Sequence, residues 1–181
     1  MTTHSTTINN RVLGIAIALV LIDFVIKLWV LFTLDTMEAG AGIGTPHVVG
    51  LMKVYNFSAA IGNQFFQSIS LVIKLVWLVF FGFLFFRARR TAAPMLLQVG
   101  STLAFVSIAA THVDMYLFPR LDPSITPSIG YLQLDEFYIN LGSSGIATSL
   151  TALLVKLGVG ITAVGAITSL TTFRKLFRRQ R

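Results

Sequence analysis

A long apolar run, residues 12–34 (VLGIAIALVLIDFVIKLWVLFTL), limits the folds open to this chain more than any other feature. A stretch of that length reads as a membrane-spanning helix, and charges within one are costly. Two charges nevertheless lie inside it, Asp23 and Lys27. With the acid four residues before the base, both fall on the same helical face and can pair. Two readings follow. In one, Lys27 extends to the interface with Asp23 as its partner; in the other, Asp23 organises a polar site at membrane depth.

The rest of the chain agrees with an integral membrane protein. Of its 181 residues 55% are hydrophobic and 12% charged, and the mean hydropathy is +0.79. Such values exclude an ordinary soluble domain. The absence of cysteine rules out disulfides, thiolate metal sites and cysteine nucleophiles. The first run is longer than a signal-peptide core and lacks a small-residue cleavage pattern at its end, so it is expected to stay in place.

Four spans are expected within a single domain covering 1–181: 12–34, 68–86, 93–113 and 145–170. Pro94 stands near the start of the third, where proline is tolerated. The fourth is rich in Gly, Ala, Ser and Thr, as a closely packed helix–helix face would be. Arg87, Arg89 and Arg90 form one basic cluster, and Arg174, Lys175, Arg178, Arg179 and Arg181 another. Their placement beside apolar runs suits a membrane surface and its anionic lipids, not nucleic acid. The positive-inside rule then sets both termini in the cytoplasm and loops 35–67 and 114–144 outside. Those loops hold Asp35, Glu38, Asp114, Asp122, Asp135 and Glu136, every acidic residue except Asp23. Residues 48–66 suit short strands or an interfacial segment, and 119–130, with three prolines, a turn-rich excursion. The expected fold class is thus an all-α four-helix membrane bundle whose outer loops carry a small β or interfacial element.

Lys74 and Lys156 also fall near mid-span, and a lysine there normally faces the bundle interior. The expectation is that Asp23 pairs across helices with Lys156 or Lys74. His47 and His112 are scattered polar residues and not a metal set; neither metal nor cofactor is expected.

Three stretches make the chain resemble the signal peptidase II family, the lipoprotein signal peptidases. LIDFVIKLWVLF, 21–32, is similar to the family's D-x-x-x-K-x-W-V in its first helix. YNFSAAIGNQF, 55–65, is similar to N-x-G-A-A-F-G, with Ser58 in place of a glycine. The order and spacing of the spans is the third. The resemblance implies four membrane helices in a bacterial cytoplasmic membrane. It also implies two aspartates at the outer surface that cleave before a lipid-modified cysteine. Asp23, Lys27, Asn56 and Asn140 would line the substrate site. In ATHVDMY, 110–116, Asp114 matches the aspartate of G-N-x-x-D-R, while Thr111 and Met115 depart from it. In GYLQLDEFYI, 130–139, Asp135 best matches the catalytic Asp of V-V-D-F. In INLGSSGI, 139–146, Ser143 takes the place of the second catalytic Asp of F-N-x-A-D-S.

Aspartyl proteolysis needs two carboxylates sharing one proton, and a serine cannot supply the second. Asp114 or Glu136 could substitute, with Asp135 and Asp114 the acids to expect if the chain is active. Ser143 or Ser144 activated by a lysine is another route, though Lys156 lies several turns away on the same helix. The expected function is a non-catalytic binding or accessory subunit whose partners are membrane lipids, a lipidated or single-span protein, or a larger membrane complex. The alternative is a divergent, active aspartyl lipoprotein signal peptidase. A small transport bundle built on Asp23, Lys74 and Lys156 is a third class.

Overall fold

The computed structural model describes residues 3–34, 49–56, 64–91, 93–122, 133–140 and 145–177. Four long helices dominate: α1 (Thr3–Thr33), α2 (Gln64–Arg90), α3 (Met95–Leu121) and α4 (Leu150–Thr168). A short helix α5 (Leu170–Phe177) follows, and the strands β1 (Val49–Asn56), β2 (Gln133–Asn140) and β3 (Gly145–Thr148) form one sheet. Segments Asn10–Thr33, Met95–Phe118 and Leu150–Thr168 are each long and apolar enough to cross a membrane. At 1.5 Å per residue the shortest, 19 residues, still spans about 28 Å.

The bundle is apolar outside and mixed inside. Leu21, Val25 and Phe32 of α1, and Val76, Val79 and Phe86 of α2, are exposed, as lipid-facing side chains would be. Inside, Phe81, Leu84 and Ala88 of α2 meet Leu97, Ala104 and Ile108 of α3. Buried hydroxyls on α3 and α4 turn back to their own helices: Ser101 to the Leu97 carbonyl at 2.6 Å, Thr111 to Ser107 at 2.9 Å and Thr162 to Gly158 at 2.8 Å. Without water to bond them, such groups must be satisfied locally.

Helices α3 and α4 approach backbone to backbone. A Cβ added at Gly100 would lie 2.5 Å from the Thr162 nitrogen, and one at Gly158 would collide with the Ala104 nitrogen. The small residues of the last span therefore serve close packing, as their composition suggested.

The sheet has the order β1-β2-β3, antiparallel throughout. Register changes between Leu51, opposite Phe137, and Val54, opposite Asp135, so β1 carries one extra residue there. Such a bulge bends a strand and re-aims its side chains. Lys53, in the bulge, is buried; its ammonium lies 2.7 Å from Asp122 and 3.4 Å from the Leu31 carbonyl. This latches the sheet to the ends of α3 and α1.

Helix α2 runs past the expected 68–86 at both ends, so Arg87, Arg89 and Arg90 are its last turn and not a loop. Two further boundaries bear on the site. The third helix does not stop at 113 but continues to Leu121, so Asp114 lies within a helix and not in an outer loop. Lys27 neutralises that acid, and Met115 and Phe118 are buried beside it, so an acidic residue there does not end the helix. The segment from 145 begins as strand β3, and the last long helix starts only at Leu150. Ser149 caps it: its hydroxyl accepts from the Ala152 N–H at 3.0 Å.

Candidate functional site

The first turn of α4 is the centre of the site. A helix N-terminus leaves its leading N–H groups without intrahelical partners and concentrates partial positive charge there. Three side chains from different elements take these donors. Glu136 of β2 accepts from Leu150 N at 2.8 Å through Oε1. Asp23 of α1 accepts from Thr151 N at 2.9 Å through Oδ1. Ser149 accepts from Ala152 N. The other oxygen of Asp23 accepts from the Thr151 hydroxyl.

Lys27 completes the cluster. Its ammonium donates to Asp23 Oδ2 at 2.6 Å, to Asp114 Oδ2, and to Thr151 Oγ1 at 3.2 Å. It also stands 6.0 Å from the centroid of Phe118, which packs against Phe24. Relative exposures are 1% for Asp23, 0% for Lys27, 3% for Asp114 and 0% for Glu136. Charges this deeply buried persist only when paired and hydrogen-bonded. Here one ammonium and one helix terminus hold the carboxylates, joining α1, α3, α4 and β2.

Glu136 differs from the others. Its Oε2 meets no donor among the described residues. Burial, reinforced by the adjoining Asp23 carboxylate, pushes its carboxyl up to about 9, against the partial opposing pull of Lys27. A neutral Glu136 can donate from Oε2 to Asp23, which removes the unpaired acceptor and the like-charge contact together.

Asp23, Lys27 and Asp114, all expected site residues, come together here. Asp135, on β2, is paired in register with Val54 of β1, Asn56 lies at the end of β1 opposite Gln133, and Asn140 lies opposite Gly145; their side chains are outside the described set. Ser143, Ser144 and His47 also lie outside the described residues. The expected cross-helix pairs of Asp23 do not form: its basic partner is Lys27, and the charge across helices is Asp114. Lys156 is exposed on α4, and Lys74 donates to the Met115 sulfur at 3.3 Å. The reason is axial position, since Asp23 is level with the first turn of α4, more than a turn from Lys156. His112 Nδ1 bonds its own helix at the Ile108 carbonyl, 2.8 Å away.

Glu136, which the sequence offers only as a substitute acid, and Thr151, which it does not mark, complete the site. A signal for the first lies in Glu136-Phe137, where the aromatic follows the acid directly, as in the D-F of the family pattern. Thr151 became visible only with the true start of α4. That start also changes the register of the last pattern: Ala147-Thr148-Ser149, leading into the helix, fits A-D-S, with buried Thr148 at the aspartate.

Comparison with protein-family models and with curated protein sequences finds no match. Among solved structures, the chain is similar to one described as a bacterial membrane enzyme, solved by the in meso method at 2.3 Å resolution. The TM-score is 0.66, with 15% identity over 95% of each chain. A second structure with the same description, at 1.9 Å, gives a TM-score of 0.59 and 19% identity over 88% of this chain and 94% of that one. The chain therefore shares the fold of these two solved structures, and its own helices are long and apolar enough to cross a membrane.

Proposed function

We propose that this is a four-span protein of a bacterial cytoplasmic membrane, related to signal peptidase II, that acts as a non-catalytic binding or accessory subunit. Both termini would lie in the cytoplasm and the sheet on the outer side. One observation carries the reading: the buried carboxylates of the site are spent on Lys27 and on the N-terminus of α4. A catalytic acid pair must reach water and a scissile carbonyl, whereas these groups hold helices and sheet together. The position resembling the second catalytic aspartate carries a hydroxyl whether read at Ser143 or at Thr148. A hydroxyl does not share a carboxyl proton at neutral pH.

Such a protein would keep a surface between helices and outer sheet for a lipidated or single-span membrane partner. Asn56 and Asn140, at the strand ends, are the residues to line it.

A second reading rests on Glu136. Two carboxyls with one proton are the essential equipment of aspartyl proteolysis, and Glu136, buried beside Asp23 with its Oε2 unpartnered among the described residues, would be the acid to supply it. An active enzyme would need the sheet to open and admit substrate. The deciding assay is cleavage of a diacylglyceryl-modified prolipoprotein by the purified protein, alongside Glu136→Gln, Asp135→Asn and Asp114→Asn. No turnover, with a partner retained in mild detergent, is the expected result. Turnover abolished by any of these substitutions replaces the subunit reading with the enzyme.

A further inference from the structure

At the end of the bundle opposite the sheet, two basic segments far apart in sequence converge. Helix α4 stops at Ser169, whose backbone leaves the helical region at φ −131° and ψ 44°. The chain then resumes as α5, with Phe173 N bonded to the Ser169 carbonyl at 2.8 Å. Helix α5 turns onto α2: Phe177 packs on Phe83 with ring centroids 5.5 Å apart, and Phe173 joins the α2–α3 core. At 3.6 residues per turn, Leu170, Phe173 and Phe177 share one face, and Arg174 borders it next to Leu170.

This contact brings α5 to the C-terminal half of α2, which ends in Arg87, Arg89 and Arg90. Arg89 is oriented by the Asn10 side chain of α1 at 2.6 Å and lies over the Phe85 ring at 5.3 Å. Arg90 and Arg174 are exposed. No Asp or Glu occurs anywhere in 39–113 or 137–181 to neutralise them. Exposed apolar groups border the cations: Phe86 at 55%, Phe177 at 49% and Leu170 at 49%.

The geometry points to a composite anionic-phospholipid site, in which α5 and the end of α2 clamp a lipid phosphate between their arginines while the bordering Phe and Leu side chains take up its acyl chains. Either cluster alone would serve as a topology signal. Their convergence through Phe83 and Phe177 is what makes one surface of them, and the mixture of exposed cations with exposed apolar groups fits a lipid better than an acidic protein. This site lies at the other end of the molecule from the carboxylate cluster and does not depend on its function.

The test is native mass spectrometry of the full chain released from detergent containing equal amounts of phosphatidylglycerol and phosphatidylcholine. Wild type should retain phosphatidylglycerol selectively and lose it as salt rises. The triple variant R90Q/R174Q/K175Q should bind it on the order of 10- to 100-fold more weakly. Phe177→Ser, which keeps every charge but frees α5 from Phe83, should also weaken retention. Equal retention of both lipids overturns the site, as does a triple variant that binds like wild type. Unchanged binding by Phe177→Ser overturns its composite character, and displacement of the lipid by a poly-glutamate peptide at lower concentration than by phosphatidylglycerol overturns the choice of lipid as occupant.

Discussion

Asp23 accepts a hydrogen bond from the backbone N–H of Thr151 at 2.9 Å, joining the interior of the first helix to the first turn of the last long one. The same carboxylate accepts from Lys27, which in turn reaches Asp114 on α3. Three helices are thus fixed at one level by a single relay of charge. Because the relay is buried, its members are worth most as a set.

Replacing Lys27 by Met should be among the most damaging single changes in the bundle. It leaves Asp23 and Asp114 buried without their shared cation, a loss of about 3–5 kcal/mol. Lys27→Met combined with Asp114→Asn should recover part of that loss, because one stranded charge goes with its partner. Thermal melts in detergent check both; a double variant no more stable than the single would contradict the pairing.

Glu136 predicts a pH dependence of definite sign. Its carboxyl stands at about 9 against an ordinary 4.5, so between these values the folded protein binds more protons than the unfolded chain. The stability it contributes is complete below pH 4.5, declines through that window and is gone above about 9. Glu136→Gln keeps an acceptor for Leu150 N and a donor for Asp23, so its profile should lack this decline. Melting temperatures of both proteins from pH 5 to 9 are the measurement, and parallel curves would mean that Glu136 is ionised throughout.

Gly158 and Gly160 offer a matched comparison on α4. A Cβ at Gly158 meets the Ala104 backbone, whereas one at Gly160 meets nothing within 4 Å. Gly158→Ala should therefore cost about 1–3 kcal/mol through forced separation of α3 and α4. Gly160→Ala should be neutral or stabilising by up to about 1 kcal/mol. Equal effects on unfolding would show that helix propensity and not the helix–helix approach governs both positions.

Lys156 should prove dispensable. It is exposed on α4, and Lys156→Leu, which removes a charge from the outside of a membrane-spanning helix, should not lower stability. Exchanging the charges of Asp23 and Lys156 should fail to rescue Asp23→Lys. Rescue would place the two residues in contact.

The legible parts of this protein were those with a local period. The Asp23–Lys27 pair follows from i,i+4 spacing alone and forms as that spacing requires. The strand residues of 48–66 gave a correct sign of a β element, seen in β1. The start of α4 is not legible in the sequence, because Gly145–Thr148, an apolar and small-residue stretch, continues the composition of the helix after it while pairing with β2. Among the acids, the family resemblance points to Asp135, whereas burial at the helix terminus singles out Glu136.

By itself the sequence determined that this chain belongs in a membrane and that an acid and a base share one face of the first helix. Hydropathy and helical period are properties of neighbours along the chain, so they need no fold to be read. Only the tertiary structure decided that Asp114, Thr151 and Glu136 complete the cluster and that α5 meets α2. Those choices depend on axial offsets between elements more than a hundred residues apart in places, such as Asp23 and Thr151, separated by 128. Close packing of α3 on α4 and the bulged, latched sheet fix those offsets, and neither leaves a periodic trace in the sequence.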